Sequence, residues 1–177
     1  LREHTYTRPR RPLIVFTPKQ LLRLKAACSP VEDFTSGTFQ PVIGETDDAV
    51  LASARKQGVD RVLLCSGRVY YDLLAHRTKT GDTSTAIVRL EQLYPLESSA
   101  IAEALAPFSG AELVWVQDEP ANQGMWPYLA LNLPTDLTGG VLPTLISRPE
   151  AAAPAVGTAG VHRAQQEEIL RQAFTRH

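Results

Sequence analysis

Four short apolar runs, each bounded by turn-forming residues and separated by helix-forming sequence, constrain the fold of this chain more than any other feature. Arg61-Val-Leu-Leu-Cys65 precedes a helix expected from Val69 to about Arg77, and Ala86-Ile-Val-Arg-Leu90 precedes one from Ser99 to about Pro107. Glu112 to Gln117 leads to a helix near Met125 to Leu131, and Leu142-Pro-Thr-Leu-Ile146 reads as the last strand. Apolar runs without polar alternation suit strands buried on both faces, and their alternation with helices implies a largely parallel sheet covered on both sides. The expected class is therefore α/β. Phe39-Gln-Pro-Val-Ile43 is extended, but Pro41 lacks an amide donor and restricts this segment to an edge or strand end.

The flanks carry less periodic sequence. Leu13-Ile-Val-Phe16 reads as one more buried strand, with Thr17-Pro18 as cap and first position of a helix through Lys25. Ser29-Pro30 to Gly37 and Ala151 to Gly157 read as linkers. Ser98 or Ser99 is placed to cap the helix that Ile101, Leu105 and Phe108 pack on the sheet. Val161 to Phe174 closes the chain as an amphipathic helix, with Val161, Ile169, Leu170, Ala173 and Phe174 as its buried stripe.

Composition removes several functional classes. The 177 residues, 44% hydrophobic, suit one domain plus an appendage. Eighteen basic against nineteen acidic residues leave a net charge of -1, so no global field favours nucleic acid or a membrane surface. No apolar run approaches the ~20 residues of a spanning helix, and Leu1-Arg-Glu-His4 is not a signal peptide, so the expected location is cytoplasmic. Cys28 and Cys65 form no Cys-x-x-Cys pair and are expected as unpaired thiols of a reducing compartment. His4, His76, His162 and His177 lack ligand spacing, and no nucleophile elbow, P-loop or dinucleotide fingerprint occurs.

Candidate functional residues sit where strands end, because ligands and partners of α/β sheets are met at the carboxyl edge. Ser66-Gly67-Arg68 opens a helix, where free amides, the helix dipole and Arg68 could receive an anion; a tight turn with Gly67 and a Ser66 cap explains the same residues. Gln92 and Tyr94 line either a crevice or only their own turn. Trp115 to Pro127 is the densest such segment, holding Asp118, Glu119, Asn122, Gln123, Gly124 and Trp126. If Asp118 and Glu119 share a site, repulsion raises one pKa and suits acid/base work, whereas extended backbone sends neighbours to opposite faces and favours a loop anchor. No complete catalytic, cofactor-binding or metal-binding set is present.

Arg11-Pro-Leu-Ile-Val-Phe-Thr-Pro-Lys19, Leu63-Leu-Cys-Ser-Gly-Arg-Val-Tyr-Tyr71, Ile87 to Leu96 and Trp115 to Pro127, in this order and spacing, closely resemble the C-terminal end of 2-oxoglutarate dehydrogenase. The likeness is to its thiamine-diphosphate-dependent decarboxylating component, nearest the actinobacterial multifunctional type. Ser147 to Gly157 and Val161-His162 resemble that family's closing segment. The resemblance implies a three-layer α/β/α domain like the transketolase C-terminal domain, with a five-stranded, mostly parallel sheet and one antiparallel edge strand at Phe39 to Ile43. Residues 1–30 would end a preceding pyrimidine-binding-type domain plus linker, and 31–177 would be the C-terminal domain.

The same likeness implies that thiamine diphosphate and Mg²⁺ are bound upstream, outside this segment. Implied partners are the upstream domains of the same chain, a second subunit in a homodimer and the lipoyl acyltransferase component, with no nucleic acid and no membrane. Actinobacterial members bind acetyl-CoA as an activator in this domain. Matching that family's binding positions here gives Glu3, positions near Thr38 and Pro41, a retained Gln92, and Ser99 and Ala100 in place of two arginines. Phosphate recognition draws much of its strength from such cations, so acetyl-CoA activation is expected to be weak or absent. A free-standing module binding a small anion or a protein is the alternative to an enzyme's C-terminal domain.

Overall fold

The computed structural model describes residues 5–6, 12, 14–135 and 137–175. Its centre is a five-stranded sheet of β1 (Val42–Ile43), β2 (Arg61–Cys65), β3 (Thr85–Leu90), β4 (Glu112–Pro120) and β5 (Thr144–Arg148), ordered β1-β3-β2-β4-β5. β2, β3, β4 and β5 run parallel, and β1 pairs antiparallel at the edge with Val42 opposite Leu90 and Ile43 opposite Arg89.

The strand alternation sorts side chains into two cores. Val62, Leu64, Ala86, Val88, Leu90 and Trp115 face one layer, made by α2 (Asp48–Lys56), α4 (Ser98–Leu105) and α5 (Trp126–Asn132); α1 (Val31–Thr35) is a single turn upstream. Leu63, Cys65, Ile87, Val114, Val116 and Ile146 face the other, made by α3 (Val69–Thr80) and α6 (Ala159–Phe174). Three layers with helices on both faces result, in accord with the expected α/β/α class. Ile101 and Phe108 are buried and Leu105 packs beside them, as their spacing requires.

Several boundaries differ from those expected, each for a local reason. The sequence around Asp48 shows no clear helical periodicity, yet Asp47 accepts the Ala49 amide at 2.9 Å and caps α2, which buries Val50. The segment expected as a linker from Ser29 to Gly37 holds α1, and the expected Lys19–Lys25 helix is instead two 3-10 turns, Leu21–Arg23 and Lys25–Ala27. Ile14, Val15 and Phe16 form no strand and are exposed, while Leu13 lies outside the described residues. α4 starts at Ser98 without a side-chain cap, so neither serine caps it. β5 begins two residues later than expected, and β4 runs on to Pro120 through an irregular register after Val116. α6 begins at Ala159, capped by the Thr158 hydroxyl, and Val161 is 49% exposed, so it does not belong to the buried stripe.

Two buried arginines fix the sheet to its helices. β1 ends at Ile43, and continuing its register would put Glu45 opposite Ile87. The Glu45 carboxylate itself takes the Ile87 amide at 2.8 Å, together with the Thr46 and Asp47 amides and the Arg77 guanidinium of α3. At the first residue of β2, Arg61 bridges Glu112 and donates to the carbonyls of Gln172, Ala173 and Thr175 at 2.9–3.1 Å. These are the orphan acceptors of the α6 C-terminus, so a strand cation caps the last helix.

Candidate functional site at the carboxyl edge of the sheet

Gln117, near the end of β4, organises the Trp115 to Pro127 segment. Its side-chain oxygen accepts the Trp115 indole N–H at 2.9 Å and the Trp126 amide at 3.1 Å. Its amide nitrogen donates to the carbonyls of Pro120 at 3.0 Å and Gln123 at 2.8 Å. The residue is 3% exposed, so a fully paired buried amide closes the loop onto the start of α5. Gly124 completes this arrangement. Its φ of +68° suits glycine, and an added Cβ would lie 3.0 Å from the Gln117 amide.

Asn122 and Gln123 tie the loop's outer side to the segment after β5. Both amides donate to the Ala151 carbonyl, at 3.1 and 2.8 Å, and Asn122 accepts the Ala151 amide in return. Trp126 is half-buried at the α5 N-terminus, packed against the core.

The adjacent acids part as extended backbone requires. Asp118 pairs with Arg68 through both Nε, at 3.0 Å, and a terminal nitrogen. Arg68 also donates to Asp72 one turn along α3 at 2.6 Å, and Asp72 accepts from Gln166 of α6 at 2.9 Å. Gln166 in turn accepts from Arg148 of β5 at 3.2 Å. A continuous polar chain therefore locks β4, α3, α6 and β5 together at one edge. Burial opposes the Arg68 charge, but the carboxylates of Asp118 and Asp72 outweigh it and raise the pKa above the usual arginine range. Glu119 is exposed; partial desolvation first, then the Asp118 charge, raise its pKa above the ordinary carboxylate range.

This edge brings Ser66, Gly67 and Arg68 next to Asp118, but the cation proposed for an anion is already held by two carboxylates. Gly67 adopts φ +66° in the strand-to-helix turn, and α3 has no side-chain cap, so the Ser66 cap does not form. The residue that sequence reasoning passed over is Gln117. A glutamine at the end of a buried strand, seven residues before a glycine, was its only visible signal.

The segment that builds this sheet and its carboxyl edge matches the sequence pattern of a known family. The family described as 2-oxoglutarate dehydrogenase C-terminal matches residues 28–174. The chain belongs to that family. A multifunctional 2-oxoglutarate metabolism enzyme of Mycobacterium sp. (strain JLS) is 44% identical, over 98% of this chain and 14% of that protein. The 2-oxoglutarate dehydrogenase E1 component of Cupriavidus necator is 42% identical, over 94% of this chain and 17% of its own length. The chain thus spans 14–17% of the length of these relatives.

In this 2-oxoglutarate dehydrogenase C-terminal domain, Gln92 lies apart from the Gln117 loop. Its amide donates to the Pro95 carbonyl at 2.9 Å and closes its own turn, leaving Tyr94 exposed with its ring 6.0 Å from that of Tyr128. Cys65 is buried, and burial pushes its thiol well above the usual range, whereas Cys28 is exposed. Among the described residues no three His, Cys, Asp or Glu side chains gather as a metal site. No described helix is long and apolar enough to cross a membrane.

Proposed function

We propose that this chain is the C-terminal supporting and assembly domain of a cytoplasmic, thiamine-diphosphate-dependent enzyme that decarboxylates 2-oxoglutarate and passes the succinyl group to a lipoyl acyltransferase. The observation that carries this reading is the state of the carboxyl edge. Its ionic and amide groups are engaged with one another, as in the Arg68–Asp118 and Gln117 networks, rather than gathered around a reactive centre. Family membership supplies the enzyme class. The same reading puts residues 1–30 at the end of a preceding domain, and the exposed Ile14, Val15 and Phe16 are apolar groups that such a domain would cover. Thiamine diphosphate and Mg²⁺ belong to upstream residues in this proposal.

The test compares this chain with the enzyme extended upstream to the length of its relatives. The 177-residue chain, given thiamine diphosphate, Mg²⁺ and 2-oxoglutarate, is expected to release no carbon dioxide, while the extended enzyme does. Turnover by the short chain alone overturns the assignment. Acetyl-CoA is expected to activate the extended enzyme weakly or not at all, because by the family resemblance the phosphate-binding cations would fall near Ser99 and Ala100. A saturable activation curve overturns that part.

A further inference from the structure

Among the described residues Arg61, Arg77 and Arg148 are the buried arginines, at 6%, 3% and 5% exposure, and Arg148 differs from the other two. Arg61 pairs with Glu112 and Arg77 with Glu45, whereas no described carboxylate lies within ion-pair distance of Arg148. Its side chain donates to the neutral Gln166 oxygen, and its Nε is a buried donor without an acceptor. Glu119 feels the Arg148 charge, but desolvation and Asp118 outweigh it and keep the Glu119 pKa raised. A guanidinium holds its proton inside a protein, so this charge stays buried without a counter-ion. Arg77 and Arg89 also have an unpartnered Nε, yet each has a carboxylate beside its charge.

Arg148 lines a cavity of about 280 Å³ between the end of β5 and the first turns of α6. Pro149, Val161 and Ala164 form its apolar walls, and Gln165 lines it from the helix with a side-chain oxygen that is buried and has no donor. The remaining polar groups of the cavity are already engaged. The Ser147 hydroxyl donates to the Arg148 carbonyl at 3.0 Å, and Glu168 is held by Arg171 and Gln172 at 2.6–2.7 Å. One apolar cavity therefore gathers an uncompensated cation, an unmet donor and an unmet acceptor. Buried polar groups are as a rule paired, and a few convergent polar groups in an apolar pocket are the mark of a ligand site.

We propose that this cavity binds a small monoanionic 2-hydroxycarboxylate with a short aliphatic chain. The carboxylate accepts from the Arg148 guanidinium, the hydroxyl donates to the Gln165 oxygen, and the chain lies on Val161, Ala164 and Pro149. Both orphan atoms are closed to solvent, so the ligand meets them as the two side chains turn toward the cavity they line. Charge selects among ligands of one skeleton. The site has one uncompensated positive charge, so an amino acid would bring an ammonium beside a buried cation, and a dicarboxylate would bring a second anion with no cation to meet it. The site is separate from the Gln92 turn, which pairs with Pro41 beside β1 at the other edge of the sheet. It goes beyond the supporting role given above and does not rest on it.

A proton–nitrogen NMR titration of the 177-residue chain with 2-hydroxyisocaproate tests this, because both cores are complete within the chain and the two side chains have observable N–H groups. The expected result is a saturable shift of the Arg148 Nε–H, the Gln165 side-chain amide and the Ala164 backbone amide. Isocaproate, which lacks the hydroxyl, and leucine, which adds the ammonium, should each bind about tenfold more weakly, the loss expected for one hydrogen bond. Arg148→Met should abolish the response. Ala164→Phe should abolish it too, since it fills the cavity from an exposed helix position and leaves both polar groups in place, so the test holds even where Arg148→Met does not fold. The absence of a saturable shift, equal binding of isocaproate or leucine, or a response that survives Ala164→Phe overturns the proposal. The enzyme assignment is unaffected by each of these results, because it is read from carbon dioxide release by the extended enzyme.

Discussion

Glu45 and Arg77 form a buried ion pair that substitutes for a missing piece of strand. Their side chains are 1% and 3% exposed, and one Glu45 oxygen lies 3.0 Å from an Arg77 nitrogen while the other accepts the Ile87 amide. Burial opposes the Arg77 charge, but Glu45 and then Asp47 outweigh it and raise its pKa. Breaking one side of such a pair leaves an uncompensated buried charge.

Arg77→Met should therefore cost about 3–5 kcal/mol in urea unfolding. Glu45→Gln keeps an acceptor for the Ile87 amide but leaves the Arg77 guanidinium, which cannot shed its proton, as the uncompensated buried charge, and should cost a similar amount. A loss below about 1 kcal/mol for Arg77→Met would place the pair in the class of solvated surface bridges.

Gln117→Leu keeps the side chain's bulk and deletes its amide. The Trp115 indole, the Trp126 amide and the Gln123 carbonyl then lose their partner, while the Pro120 carbonyl keeps the Gln123 amide. A loss of at least about 2 kcal/mol is expected, because each unsatisfied buried group costs about 1–3 kcal/mol. Hydrogen exchange should accelerate at Trp126 ahead of the strand amides. Unchanged exchange there would show that the loop holds without Gln117.

Arg61→Met should fray the end of α6. Three carbonyls between Gln172 and Thr175 lose their donor, and Glu112 loses its cation. Faster exchange confined to the last turn of α6, with β3 unaffected, is the expected pattern. Uniform acceleration throughout the domain would assign Arg61 a global role instead.

Glu119 gives a pH dependence of definite sign. Its carboxyl pKa is raised in the folded chain by partial desolvation and the nearby Asp118 charge, so the folded state holds this proton more tightly than the unfolded state. Its contribution to stability is present below the ordinary carboxylate pKa and is lost as pH rises through the raised value. Glu119→Gln should therefore raise the thermal midpoint at neutral pH, and the gain should vanish in acid. A gain that persists unchanged below the ordinary carboxylate range would trace to something other than this titration.

How far each part was legible depends on the range of the interaction behind it. The parallel strands and the helices between them follow from local periodicity, and Val62 with Leu64 against Leu63 with Cys65 shows the alternation at work. The expected strand at residues 13–16 shows the limit. An apolar run becomes a strand only if a neighbour supplies its ladder, and Ile14 to Phe16 find none within the described residues. α2 is not legible in the sequence despite its Asp47 cap, because only Val50, Leu51 and Ala54 of it pack against the core.

The edge loop divides the same way. Asn122, Gln123 and Gly124 stand out in the sequence as turn-forming residues, but their common partners, Gln117 and Ala151, come from different strand ends.

By itself the sequence determined an α/β domain covered by helices on both faces and the resemblance to the 2-oxoglutarate dehydrogenase family, which in turn implied the antiparallel edge. Those properties rest on periodicity and on ordered local motifs, both carried by neighbours along the chain. Only the tertiary structure decided that Arg68 is neutralised by Asp118 and Asp72, that Arg61 caps a helix more than a hundred residues away, and that Glu45 completes a strand. A charge acts through space, so its partners are fixed only when the sheet brings distant segments together.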